Sequence, residues 1–226
     1  MLKQKKNKGT LISRNIGVLK SKGEYLIFPD SDDIISSNIL DDCYELAKKY
    51  NYEMIRFNIY SKKFFPFSFI PFNLKNTIYQ PELRTHLIYG LGYKKLIDGI
   101  ISNKFIKRKA FVKTLNDIDI YYLIKNMIYF EDGLINFALH FNVKSLYLLK
   151  NIGYYYVFNE ESISHSLIIN SYIKCFFIYL KFVLGKIKNN IYEKEMIFFL
   201  LDEYIKNNKL LEDLKENLGI YEKNYF

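Results

Sequence analysis

Asp30, Asp32 and Asp33 place three carboxylates within four positions, with only Ser31 between them. Like charges so close repel, and a fold keeps them together where a cation offsets the repulsion. Hard cations that take oxygen ligands, such as Mg²⁺ or Mn²⁺ carrying phosphates, suit such a group. The same residue types also make an ordinary solvated turn that caps the next helix, and composition alone weighs the two readings equally. A calcium-binding EF-hand loop fails, because Ile34 and Ile35 stand where a ligand and a glycine are needed. A second acidic pair, Glu131-Asp132, opens an apolar-periodic segment. By itself it reads as a helix first turn, where carboxylates meet the positive end of the dipole. Arg14 is a bidentate donor for carboxylate or phosphate, or else a surface arginine. His165, after Ser164, is a candidate phosphate or metal contact and otherwise an exposed loop histidine, whereas His86 and His140 fall on helix faces and receive no chemistry.

The elements that must position these residues follow from periodicity. Tyr25 to Phe28 is an apolar run with the length of a buried strand, broken by Pro29, so the acidic turn sits at a strand's carboxyl end. In open α/β sheets ligands bind outside those ends. Before it, Leu11, Ile12, Ile16 and Leu19 recur at helical spacing, with Gly23 as a stop signal. After it, Ser37 is the expected N-cap of a helix through Tyr50 that turns Leu40, Cys43, Tyr44 and Ala47 inward. Met54 to Tyr60 is a second strand, which completes a β-turn-α-β unit and predicts a parallel sheet with crossover helices. Residues 61–80, rich in Phe, read as a packed excursion or a hydrophobic lid, and Pro81 starts a helix to about Leu91. Asn103 to Lys109 is a basic segment leading into a helix. Residues 132–141 are helical, and short strands are expected at 145–149 and 153–158. From about Ile168 the chain reads as amphipathic helices.

The 226 residues are 50% hydrophobic, enough for a sizeable core. The net charge of +9 favours an anionic partner. Apart from Lys3, Lys5, Lys6 and Lys8 the lysines are dispersed, which argues against nucleic acid as that partner. Cys43 and Cys175 lie far apart and read as two reduced, buried thiols. The N-terminus has no apolar h-region, and no segment reads as a membrane span, so a cytoplasmic protein is expected.

Three segments in order resemble the family 2 glycosyltransferases of GT-A fold. Asn7 to Gly17 is similar to the family's glycine-containing turn followed by an Arg-Asn pair, here Arg14-Asn15. Gly23 to Asp33 is similar to its strand and DxD motif, and Phe130 to Asn136 to the acidic pair opening its acceptor-side helix. Asn103 to Arg108 and Tyr154 to Ser164 are weaker echoes. The resemblance extends over roughly residues 7–166. It implies an α/β chain in two parts: a truncated GT-A (Rossmann-like), mostly parallel sheet with flanking helices over 1–166, and a helical C-terminal extension over 167–226. It implies Mn²⁺ or Mg²⁺ at Asp32, Asp30 and Asp33, with Asp32 the main ligand, Asp30 nearer the ribose and Asp33 a second ligand or water holder. It further implies Gly9, Arg14, Asn15 and Asp30 on the donor, Asp132 as the base, and Glu131 beside the acceptor. The implied reaction is inverting transfer from a nucleotide sugar (UDP-linked or similar) to a glycan, lipid-linked or other hydroxyl acceptor, as in polysaccharide biosynthesis. The family's nucleotide-binding half precedes the segment matching Gly9, and this chain starts near its end. The competing expectation is therefore an inactive fragment or interaction module that keeps part of the fold. The Lys-rich tail, with Phe, Tyr and Leu, is expected against the cytoplasmic face of a membrane or packed as ordinary helices.

Overall fold

The computed structural model describes residues 9–62, 76–80, 100–118 and 131–158, together with Cys175, Ile178, Tyr179 and Phe182. The elements in chain order are α1 (Thr10–Lys20), β1 (Tyr25–Leu26), β2 (Ile34–Ile35), α2 (Ile39–Tyr50), β3 (Met54–Ser61), β4 (Thr77–Tyr79), β5 (Lys104–Lys107), α3 (Arg108–Asp117), α4 (Glu131–Asn142) and β6 (Ser145–Tyr156). The helix expected from Pro81 and the histidines at 86 and 165 lie outside the described residues, as does most of the Phe-rich stretch.

The sheet order is β1-β5-β3-β6-β2, with β4 also on β6. β1 and β3 each pair antiparallel with β5, and β3 pairs parallel with β6, so β1, β3 and β6 run in one direction. This is the mostly parallel core, with β5 reversed inside it and β2 and β4 antiparallel on β6. The β-α-β unit of β1, α2 and β3 is present, but its two strands are neighbours only through β5.

Side chains alternate across strands with a period of two, and here both faces are covered. Met54, Ile106, Leu146 and Leu148 face a core shared with Leu11, Val18, Phe111, Leu134, Ile135 and Leu139 of the helices α1, α3 and α4. Ile55, Phe57, Phe105 and Leu149 face the other side, against Ile39, Cys43 and Ala47 of α2. Each buried Leu, Ile, Val, Phe or Met among these contributes roughly 1.5–3 kcal/mol. Cys175 is buried in the first core, with Ile178, Tyr179 and Phe182 packed against it. The start of the tail therefore packs inward at these positions. Both cysteines are free and buried.

Some local expectations change. In α2 the buried positions are Ile39, Cys43 and Ala47, while Leu40 and Tyr44 are exposed. The helix starts after Asn38, not Ser37, and Ile39 turns inward because Gly153, without a side chain, leaves room for it. The strands expected at 145–149 and 153–158 are one strand, Ser145–Tyr156, carrying an irregularity opposite Asn58. There Asn58 Nδ2 donates to Lys150 O at 2.6 Å, and the extra residues turn outward.

Candidate active site

Gly9 enters α1 with φ of +84°, a left-handed value that favours glycine, and its carbonyl accepts from the Ser13 backbone N–H and hydroxyl. One turn into the helix, Arg14 is largely buried and points at three carboxylates. Its Nη1 donates to Asp132 Oδ1 and lies 3.8 Å from Glu131 Oε1, while Nη2 lies 3.7 Å from Asp30 Oδ1. The acidic turn and the start of α4 thus meet on one guanidinium, although Arg14 and Asp132 are 118 positions apart. Both acidic segments lie beyond the carboxyl ends of the parallel strands, where α/β sheets hold ligands.

The three turn carboxylates divide. Asp33 is committed to the scaffold: its Oδ2 accepts from the Tyr154 hydroxyl at 2.5 Å and its Oδ1 from the Val157 N–H at 2.8 Å. The Asp30 N–H in turn donates to the Tyr154 oxygen at 3.1 Å, so one β6 tyrosine fastens the turn from both ends. The Asp30 carboxylate is half exposed, and Asp32 stands exposed at the turn. Asn15 is half-buried on α1 beside Arg14 in sequence, and no hydrogen bond ties it to the cluster among the described residues.

Burial shapes the titration of the site. Glu131 is pushed up to about 7, first by desolvation and then by the Asp132 charge, with Arg14 opposing. Asp132 is raised by burial, against the pull of the Arg14 guanidinium, the Ile101 N–H and the Lys104 charge. Asp30 is also raised by burial, with Arg14 again opposing. Tyr154 is held well above the usual phenol range by burial and by its bond to Asp33. A carboxylate whose affinity for a proton is raised towards neutrality is better matched to general-base work than an ordinary surface aspartate.

Two residues enter the site without having been marked individually from sequence. Tyr154 lay in a segment noted only as a whole. Lys104 lay in a segment read as basic, yet it is 1% exposed, and its ammonium donates to Ile100 O and to Asn103 Oδ1. A buried lysine amid a basic run is a signal only once burial is known.

Reversed β5 between β1 and β3, with the site at the strand ends, defines a GT-A fold, and solved structures agree. The chain is similar in fold to Staphylococcus aureus TarS 1–349, with a TM-score of 0.58 at 19% identity over 87% of this chain and 51% of that one. It is likewise similar to that protein in complex with UDP-GlcNAc, with a TM-score of 0.57 at 17% identity over 85% and 51%. The family model described as Glycosyl transferase family 2 matches residues 1–115, and the chain belongs to that family. Among named relatives it is 28% identical over 171 residues to the poly(ribitol-phosphate) beta-N-acetylglucosaminyltransferase TarP of Staphylococcus aureus (strain N315), covering 74% of this chain and 47% of that protein. It is also 28% identical over 117 residues to the cholesterol galactosyltransferase of Borreliella burgdorferi, covering 48% and 32%. The chain thus spans less than half the length of these two relatives. Among the described residues no helix is long and apolar enough to cross a membrane.

Proposed function

We propose that the site takes part in metal-dependent, inverting transfer of a sugar from a nucleotide diphosphate to a hydroxyl acceptor. The observation that carries this reading is the convergence of Asp30, Glu131 and Asp132 on Arg14. It brings the donor-side turn and the acceptor-side helix within one guanidinium's reach.

Asp30 and Asp32 offer hard oxygen ligands on the open side of the turn, whereas the oxygens of Asp33 already accept hydrogen bonds. Mg²⁺ or Mn²⁺ would be held there by these carboxylates together with oxygens of the donor. Such an ion neutralises charge on the departing diphosphate. Arg14 supplies fixed positive charge beside the same turn. Asp132 takes the proton of the acceptor hydroxyl, and Glu131, neutral through much of the range below pH 7, donates a hydrogen bond to the acceptor. Attack from the Asp132 side, opposite the diphosphate, inverts the anomeric carbon.

Calorimetric titration of UDP in the presence of Mn²⁺ tests the reading. Wild type is expected to bind, and Asp32→Ala to lose most of the metal-dependent heat while unfolding at the wild-type temperature, since Asp32 is exposed. Equal heats from the two proteins would overturn the metal-ligand role of Asp32, and no heat from either would favour a module that keeps the fold without the donor.

A further inference from the structure

The carboxylate that this reading makes the base is not free: Arg14 holds it. Among the described residues the guanidinium makes one hydrogen bond, from Nη1 to Asp132, and its contacts with Glu131 and Asp30 are attractions at 3.8 and 3.7 Å. A guanidinium has five N–H donors in a rigid fork, so most of them are uncommitted. Nη2 faces Asp30, on the turn that receives the diphosphate under the proposed function, on which this inference rests. A diphosphate there offers two oxygens to the fork, and bidentate charge-assisted contact outweighs a single bond to one carboxylate oxygen.

We propose that the donor diphosphate and Asp132 compete for Arg14, so that donor binding draws the guanidinium off Asp132 and exposes the base only when the donor is in place. Removing a cation from a partly buried carboxylate normally leaves a costly unpaired charge. Here the loss is offset in part. Asp132 keeps the Ile101 N–H as a donor and the Lys104 charge nearby. Lys104 cannot follow the ligand, because it is buried and anchored to Ile100 O and Asn103 Oδ1. The site therefore holds one cation that can move to the ligand and a second, with a weaker pull on the base, that stays in place. This orders the reaction: an acceptor that enters first meets a base still paired with Arg14.

Competition of this kind has a thermodynamic signature, because coupling between two partners of one residue is reciprocal. UDP with Mn²⁺ is titrated calorimetrically into wild type, Asp132→Asn, Arg14→Ala and the double variant, each checked for folding by circular dichroism, with Arg14→Gln in place of Arg14→Ala if the alanine protein does not fold. Asp132→Asn is expected to tighten UDP by about fivefold or more, within the usual range of coupling between sites, and to change nothing when Arg14 is absent. Unchanged or weaker binding by Asp132→Asn overturns the proposal. So does an equal tightening without Arg14, which would reflect only the loss of a negative charge near the phosphates. Wild-type binding with either of those results leaves the proposed function standing and removes this inference alone. No binding by any of the proteins removes both.

Discussion

Glu131→Gln isolates the electrostatic cost built into the site. The folded state holds this carboxyl at about 7, against 4.5 for a free glutamate side chain, because burial and the Asp132 charge disfavour its ionised form, while Arg14 offsets only part of that. Below pH 4.5 the group is protonated in both folded and unfolded chains and contributes nothing to the difference. Between 4.5 and 7 the unfolded chain releases the proton and the folded chain keeps it, so stability falls as pH rises. Above 7 the penalty is complete, and it amounts to about 3 kcal/mol. The side chain is 18% exposed, so little of this is lost to solvent screening. Glutamine has the same shape and never ionises. The variant should therefore match wild type at pH 4.5 and exceed its stability by up to about 3 kcal/mol at pH 8, or about 6–12 °C in Tm for a chain of this size. Thermal unfolding followed by circular dichroism at pH 4.5, 6, 7 and 8 reads the difference, in which titrations common to both proteins cancel. A difference that is flat with pH, or that favours wild type at pH 8, would refute the reasoning.

Two further substitutions test the scaffold beneath the site. Tyr154→Phe removes the donor to Asp33 and the acceptor for the Asp30 N–H, and should cost about 1.5–3 kcal/mol in denaturant unfolding, the range for hydrogen bonds to charged groups. It should weaken UDP binding as well, since the turn loses its fastening. Gly153→Ala places a β-carbon 2.4 Å from Ile39 Cγ1 and 2.5 Å from Phe57 Cδ2, and should cost about 1–3 kcal/mol as α2 is forced off the sheet. Wild-type stability in that variant would mean that α2 packs less tightly over β6 than described.

The elements that periodicity can mark were legible in the sequence. Leu134, Ile135, Ala138 and Leu139 repeat at helical spacing and are all buried on α4, and the run from Met54 is a strand buried at every position but Tyr60. What local pattern cannot carry is pairing across distance. Nothing in Lys104–Lys107 announces that it will insert, reversed, between β1 and β3, and its flanking lysines read as a basic segment leading into a helix. Lys104 is buried because the reversed strand points it inward beneath the site. On α2 the expected Cys43 and Ala47 are inward, but Ile39 takes the place of Leu40 and Tyr44 for a related reason. Several faces of that helix carry apolar residues, and the absence of a side chain at Gly153, on a strand formed much later in the chain, selects Ile39 for the interior.

The acidic turn illustrates the same division at the level of chemistry. Residue type shows three equivalent carboxylates, and repulsion among them demands compensation, but sequence cannot say that the compensation comes from two directions. Asp33 is hydrogen-bonded sideways by the Tyr154 hydroxyl on β6 and the Val157 N–H just beyond it, which turns one acid into a fastening. Asp30 is balanced from within by Arg14, and Asp32 is left to solvent. If all three carboxylates were ligands, the turn would need a cation to hold its shape. With Asp33 given to Tyr154 and Val157, protein hydrogen bonds hold the shape of the turn, and the carboxylates of Asp30 and Asp32 are not needed for it.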